Sequence, residues 1–461
     1  MPHFTPGDLA RWSAGAWPRA PAVPLTGVSI HTQTLKAGDL FFALPGTRAD
    51  GHAFVGAALA RGAAGAVVRA DFAATQPDWP LLVVADPAQA LRAIAAGYRQ
   101  TLPAEFIAVT GSVGKTTAKE MLADLLATRG ATARSRGNFN NELGLPLSLL
   151  AVEPATQFGV FELGMNHPGE LAPLVQLLHP QSAVVTTVGP VHLEFFDSVR
   201  AIAQEKAAVL RALPARGLAV LAADDAWFEV LRAAAPCRVV TVALDGDADY
   251  MGQFDAAQLT AFTVLERATG ETAQLENALP GEHMVRNALL AVAMARAHGV
   301  PWAGIRAALK NFKPVAMRWE QRVMGGVTVI NDAYNASPPS MRAALKTFAQ
   351  LPVAGAKWLV LGGMRELGPT AETEHRELGG EIATGDWAGL ITVGALGGWI
   401  AAGAAEAGML PHTLFREAHC AAAACELLQR VRPGDAVLVK ASRGEKLEAV
   451  IQDLTEGLHS A

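Results

Sequence analysis

A buried strand that passes directly into a glycine loop and then into a helix leaves few folds open, and residues 106–117, Phe-Ile-Ala-Val-Thr-Gly-Ser-Val-Gly-Lys-Thr-Thr, read that way. Residues 106–109 supply the apolar strand. Gly111 and Gly114 let backbone N–H groups close on an anion, and the helix opening at Lys115 turns its positive end to the same point. Lys115 adds a mobile positive charge, and Thr116 a hydroxyl where a phosphate-bound Mg2+ would sit. The spacing is a variant: in G-x-x-x-x-G-K-S/T the first glycine would fall on Val109, whereas here it falls on Gly111. The strand before the loop and the amphipathic stretch behind it favour a nucleotide site over a chance Gly-Lys-Thr turn. Its expected contacts are Gly111, Ser112, Val113, Gly114, Lys115, Thr116 and Thr117.

At 461 residues the chain is long enough for three domains of the usual ~100–200 residues. Net charge is −5, from 38 basic and 43 acidic residues, and no run of Lys or Arg tracks a phosphate backbone, so nucleic acid is not an expected partner. An anionic nucleotide must then be held by local charge. Cys237, Cys420 and Cys425 form no C-x-x-C pair and no His/Cys cluster, which argues against a disulfide framework or a structural zinc and fits a reducing cytoplasm. The start, Met-Pro-His-Phe-Thr-Pro-Gly-Asp, has neither the basic stretch nor the apolar run of a signal peptide. Arg, Glu or Lys interrupt every Ala-rich stretch before it could span a bilayer, so a soluble cytoplasmic protein, monomeric by default, is expected.

Three segments separate. Residues 1–103 mix short apolar strands (40–43, 65–68, 81–84) with Ala-rich helices (52–61, 87–99). Residues 104–313 carry the glycine loop and further strands at 158–163, 183–188, 217–222 and 239–242, and this strand–helix alternation predicts a parallel sheet covered on both faces. Lys313-Pro314 closes that unit, and residues 314–461 alternate again (327–330, helix 338–350, 358–361, 390–393, 435–439), as in a dinucleotide-binding fold.

Ligands of open α/β sheets lie beyond the carboxyl ends of the strands, and four polar clusters fall there. Asn138, Asn140 and Asn141, in Asn-Phe-Asn-Asn-Glu, suit a sugar or peptide reader, although Asn-rich turns also arise for conformational reasons. Glu162 ends an apolar strand, a natural place for a Mg2+ ligand near a triphosphate. His192, in Val-Gly-Pro-Val-His-Leu-Glu, follows a parallel strand and serves either as a metal contact or as a structural His; Lys206 lies on the next helix. Asp332, in Asn-Asp-Ala-Tyr-Asn335-Ala-Ser-Pro-Pro-Ser-Met, is either a ribose partner or a strand-end Asp before an Asn-Pro turn.

Taken together, these clusters resemble the Mur ligase family, and most closely its D-alanyl-D-alanine-adding branch. The resemblance spans nearly the whole chain, in order: Leu-Lys-Ala-Gly-Asp-Leu-Phe-Phe-Ala-Leu-Pro-Gly (35–46) with Asp50-Gly51-His52, then 110–117, 138–146, 162–169, 192–194, 281–287, 332–341, 361–368 and 439–443. It implies a three-domain α/β architecture: an N-terminal domain (1–103) for the UDP-linked substrate, a central P-loop domain (104–313) for ATP, and a C-terminal Rossmann-like domain (314–461) completing the ATP and acceptor sites. The implied activity is an ATP-dependent, ADP-forming amide ligase of peptidoglycan synthesis that joins D-alanyl-D-alanine to UDP-N-acetylmuramoyl-tripeptide through an acyl phosphate.

Carried over motif by motif, the resemblance gives Lys115 and Thr116 the phosphates and a first Mg2+. Glu162, His192 and a carbamylated Lys206 receive a second Mg2+, with Lys115, Lys206 and His192 as the catalytic set. Asn287 reads adenine, Arg318 a phosphate and Asp332 the ribose; Asn335 faces the dipeptide, and Asn138, Asn140 and Asn141 the UDP substrate. The chain departs from the family pattern at His31-Thr32-Gln33, Ala208, Met284, Gly363 and Ala441. Rival readings are the tripeptide-forming Mur ligase, whose diaminopimelate form carries an Asp-Asn-Pro-Arg absent here, and a folylpolyglutamate synthase-like ligase, which lacks the context of Asn335. A P-loop switch is a third rival, but the guanine-reading Asn-Lys-x-Asp is missing.

Overall fold

The computed structural model describes residues 2–46 and 49–460, the side chains of His459 and Ser460 apart. Its first sheet joins β1 (Gly27–Ser29), β2 (Asp39–Phe42), β3 (Gly65–Arg69) and β4 (Leu81–Val84), all parallel and in chain order. Alternate residues of a strand point to opposite faces, and here both faces are covered. Leu40, Phe42, Val67 and Leu82 cluster with Leu91 and Ile94 of the helix Pro87–Thr101, while Phe41, Ala66 and Val68 cluster with Val55 and Ala58 of the helix Val55–Ala60. A 3-10 turn, Gly51–Phe54, precedes that last helix, so the continuous helix expected over 52–61 is broken after its first turn.

The central sheet has nine strands: β5 (Glu105–Thr110), β6 (Thr132–Arg134), β7 (Phe158–Glu162), β8 (Ser182–Val185), β9 (Leu218–Ala222), β10 (Arg238–Ala243), β11 (Tyr250–Phe254), β12 (Ala261–Glu266) and β13 (Glu271–Glu276). Their order is β13-β12-β11-β10-β9-β8-β5-β7-β6. From β6 to β11 neighbours run parallel, but β12 and β13 are antiparallel, which corrects the expectation of a wholly parallel sheet. Burial alternates residue by residue along β12, the mark of an antiparallel strand with one wet face. The helix Glu282–Ala297 is apolar on nearly every side and lies in the core of this domain.

The third sheet comprises β14 (Glu320–Met324), β15 (Val327–Asn331), β16 (Lys357–Leu361), β17 (Gly389–Val393), β18 (Leu414–Glu417) and β19 (Ala436–Lys440), in the order β14-β15-β19-β16-β17-β18. Only β14 is antiparallel. It reaches β15 through Gly325-Gly326, with φ of 54° and 79°, the two left-handed residues that a tight primed hairpin turn requires. The carboxyl ends of β15 and β19, neighbours in space though far apart in sequence, bring Asp332 and Lys440 together.

Arg99 ties the first domain to the second. Its Nε and Nη2 donate to the carbonyls of Leu178 and His179 at 2.7 and 2.9 Å, where the helix Leu171–Leu178 ends in open acceptors. The Tyr98 hydroxyl donates to Val152 O at 2.7 Å.

Candidate active site

The glycine loop is pinned from below before it offers anything to a ligand. Ser112 N donates to Thr187 O at 2.7 Å, Thr186 Oγ1 to Val113 O at 2.6 Å, and the Ser112 hydroxyl shares bonds with both Gly189 N and Gly189 O. Gly111, at φ 146°, lies so close to Thr186 that a Cβ would sit 1.9 Å from its hydroxyl. Gly114, at φ 86°, lies against Asn287, whose Oδ1 would be 2.3 Å from a Cβ there. Asn287 therefore reaches the phosphate loop from the buried helix Glu282–Ala297. The Lys115 amine folds over the loop, donating to Gly111 O at 2.9 Å and Ser112 O at 3.2 Å. Burial lowers its pKa; Glu162 opposes the shift and Arg318 adds to it.

Glu162, 2% exposed at the end of β7, has both oxygens engaged. Thr116 Oγ1 donates to Oε2 at 2.6 Å and Asn140 Nδ2 to Oε1 at 2.8 Å. Asn140 thus orients the acid. Asn141 accepts from Gly144 N at 2.8 Å at the start of the helix Gly144–Leu150, and Asn138 lines the cleft. The fully buried Lys119 donates to Ser135 O at 2.7 Å and Gly137 O at 3.0 Å, which fixes the strand-to-loop segment that carries these asparagines.

His192 lines the same cleft, and its Nδ1 lies 2.5 Å from Glu366 Oε2 on the C-terminal domain, the carboxylate accepting. That bond, with burial opposing it, holds the Glu366 carboxyl below its usual range. Lys206, on the helix Val199–Arg211, is 2% exposed and approaches the loop from behind, its amine donating to Gly111 O at 2.8 Å. Burial, reinforced by the nearby Lys115 cation, pushes its pKa well below that of an ordinary lysine.

The C-terminal domain supplies the opposite wall of a cleft of about 710 Å3. The Arg318 guanidinium stacks 4.1 Å over the Tyr334 ring, with its Nε buried and unpartnered. Asp332 accepts from Trp319 N at 3.1 Å and pairs with the buried Lys440 at 2.6 Å. Lys440 also donates to Asn335 O at 3.1 Å, so it staples the whole 332–335 turn, within which Asn335 Oδ1 accepts from Ala336 N at 2.9 Å. His283 lies in the same cleft, where burial pushes its pKa down to about 4.

Tyr334, Glu366, Lys440 and the Arg286–Asp224 pair were not singled out by sequence reasoning, yet all belong to the cleft or hold its walls. Lys440 ends the apolar run of β19, so the strand-end rule that found Glu162 and Asp332 would have found it too. Of the family departures, Met284 lines the cleft, and at Gly363 a Cβ would meet Leu396 at 2.4 Å, so a side chain from elsewhere has taken the space. Near His31 and Gln33, Arg61 donates to Thr32 O at 2.7 Å.

Two anion features fit a nucleoside triphosphate: a glycine loop with a lysine amine folded over its carbonyls, and an orphaned buried guanidinium N–H across from it. The donors around Glu162 and Thr116 are hard oxygens. Among the described residues no three His, Cys, Asp or Glu side chains gather into a metal cage, so a cation here would be shared with phosphate oxygens, as Mg2+ prefers.

Three layered α/β domains and an oxygen-lined phosphate cleft closed by the third of them define a nucleotide-dependent ligase, and the chain belongs to the Mur ligase family. The Mur ligase family catalytic domain matches residues 24–99, the Mur ligase middle domain residues 109–295, and the Mur ligase glutamate ligase domain residues 317–443. The UDP-N-acetylmuramoyl-tripeptide--D-alanyl-D-alanine ligase of Bacillus subtilis is 35% identical over 443 residues, covering 93% of each chain. The crystal structure of MurF from Acinetobacter baumannii superposes with a TM-score of 0.86 at 29% identity, covering 98% of this chain and 99% of that one. MurF from Thermotoga maritima, in complex with ADP, gives 0.79 at 26% identity, over 95% and 99%.

Proposed function

We propose that this chain is the ligase that adds D-alanyl-D-alanine to UDP-N-acetylmuramoyl-tripeptide, converting ATP to ADP and phosphate by way of an acyl phosphate, in cytoplasmic peptidoglycan precursor synthesis. The observation that carries it is the pairing, across one cleft, of the Lys115 loop and the Glu162–Thr116–Asn140 cluster with the Asp332–Lys440 turn. The three cysteines are free, which suits a reducing compartment, and among the described residues no helix is long and apolar enough to cross a membrane.

The reaction brings a carboxylate to the γ-phosphate of ATP, two anions that repel unless cations stand between them. Lys115 and Arg318 supply fixed positive charge on opposite sides of the cleft. Thr116 and Glu162 would hold one Mg2+, and His192, Glu162 and Lys206, as its carbamate, a second; the ions supply charge neutralisation between the two reactants. Asn287 and Asp332 are assigned to the nucleoside, and Asn335 to the dipeptide amine that attacks the acyl phosphate. Residues 1–103 take the uridine end together with Asn138, Asn140 and Asn141, residues 104–313 the triphosphate, and residues 314–461 the acceptor.

Phosphate release should require ATP, UDP-N-acetylmuramoyl-tripeptide and D-alanyl-D-alanine together. Release with the dipeptide omitted, or equal release when diaminopimelate, lysine or glutamate replaces it, would overturn the assignment.

A further inference from the structure

His192 and Glu366 are 174 residues apart and lie on different domains, yet their side chains meet at 2.5 Å. A second bond lies beside the first: Glu194 N donates to Glu366 O at 3.2 Å. Gly368, at φ 55°, is close enough that a Cβ would sit 3.0 Å from Glu194 Cα, so the two loops touch backbone to backbone. His192 and Glu366 are both left-handed, at φ 56° and 62°, a conformation that non-glycine residues keep only where their surroundings impose it.

The Glu366 loop is held firmly within its own domain. Met364 N donates to His375 Nε2 at 2.8 Å, Arg365 N to Ser442 Oγ at 2.9 Å, and Arg365 Nε to Glu445 at 2.8 Å. The carboxylate therefore travels with the C-terminal domain, whereas His192 travels with the central one. An ionised carboxylate can only accept, so the proton of a neutral His192 ring sits on Nδ1 and the Nε2 lone pair is left for the cleft. Carboxylates behind metal-binding histidines act in this way, fixing both ring and tautomer.

We propose that Glu366 is a positioning residue that orients His192 only when the C-terminal domain is seated, so that completion of the His192 cation site and domain closure are one coupled event. This rests on the reading of His192 as a Mg2+ contact. Coupling of this kind is reciprocal: closure tightens the cation, and the cation favours closure.

The test uses the full chain with ADP, Mn2+ as the probe, electron paramagnetic resonance for affinity and small-angle X-ray scattering for compaction. Glu366→Ala should weaken Mn2+ 10–100-fold, the range for lost outer partners of metal-bound histidines, and abolish Mn2+-driven compaction with thermal stability and ADP affinity unchanged. Glu366→Gln, whose amide oxygen still accepts from Nδ1–H, should stay within about threefold of wild type. Wild-type Mn2+ affinity or undiminished compaction in Glu366→Ala, or a Glu366→Gln as damaged as Glu366→Ala, overturns the proposal. If His192→Ala binds Mn2+ normally, His192 is not a metal contact and the coupling falls with it. These readouts need no turnover, so they remain decisive even if the dipeptide-dependent phosphate assay fails.

Discussion

Replacing Lys206 by Met separates what the amine does for the fold from what it does for the reaction. Both Lys206 and Lys115 donate to Gly111 O, at 2.8 and 2.9 Å, so the carbonyl keeps a partner when Lys206 Nζ is removed. One hydrogen bond of about 1 kcal/mol is lost, and the cost of burying an amine that no carboxylate accompanies is lost with it. The net change should stay within about 1 kcal/mol, or a melting shift under roughly 4 °C. Activity should respond very differently. An ordinary lysine near 10.4 is about four parts in ten thousand neutral at pH 7, too little to react efficiently with CO2. Burial beside Lys115 shifts Lys206 well below that, so the neutral amine that forms a carbamate is available. A carbamate formed there would turn a repelling cation into two anionic oxygens suited to Mg2+. Lys206→Met should therefore cut dipeptide-dependent phosphate release at least 100-fold while melting almost unchanged, and acetate or formate should restore part of the activity of Lys206→Ala. Near-normal turnover in Lys206→Met, or a melting loss of 10 °C that tracks the activity loss, would refute this reasoning.

Asn140→Asp sets a second carboxylate against Glu162 where a 2.8 Å hydrogen bond now lies, and two such groups cannot both ionise; turnover at pH 7 should fall about 100-fold and recover partly as Mg2+ is raised, whereas unchanged kinetics would show that Asn140 does not touch the acid. Lys440→Met leaves Asp332 without its buried partner and should destabilise by about 3–5 kcal/mol, most of it regained in the double variant with Asp332→Asn, as a calorimetric double-mutant cycle will read. His283, held to about 4 in the fold against about 6.5 unfolded, takes up its proton more readily when the chain unfolds. Its contribution is intact above pH 6.5 and lost as pH falls toward 4, by up to about 3 kcal/mol, so His283→Gln should lose less stability than wild type between pH 7 and 4.5; equal losses in chemical denaturation would remove His283 from the account.

Strands buried on both faces were legible because their apolar residues run without interruption, and β4 and the helix Pro338–Gln350 fall where the sequence puts them. The region from 250 to 276 was not. Its strands carry polar residues on one face, and β13 exposes four of its six positions, so no apolar run announces it. The hairpin into β15 announces itself only through Gly325-Gly326. At the site, strand-end placement picked out Glu162 and Asp332 one at a time. Periodicity carries no information on which strand ends become neighbours, so the Asp332–Lys440 and His192–Glu366 pairs, 108 and 174 residues apart, appear only once the sheets are assembled.

The same geometry explains how a chain of net charge −5 can hold a triphosphate and a carboxylate in one cleft. Its cations there are placed against carbonyls, aromatic faces and one another, more than against acids. Lys115 and Lys206 share the Gly111 carbonyl, and Arg318 lies on Tyr334. Burial is the main reason that both lysines lie below an ordinary lysine; Glu162 opposes the shift at Lys115 and Arg318 adds to it, while at Lys206 the Lys115 cation adds to it and Glu205 opposes it. Lys115 and Arg318 repel across the free cleft, and a phosphate placed between them relieves both at once, whereas Lys206 is assigned to the metal as its carbamate. Arg286 and Lys440 are the exceptions: Arg286 pairs with Asp224, and Lys440 sits on Asp332, where the assigned ligand is a neutral sugar hydroxyl and unpaired charge would gain nothing. Lys115, assigned to phosphate, is bonded to carbonyls and not to an acid, whereas Lys440, beside the assigned sugar, is paired with one, a contrast that neither composition nor net charge discloses.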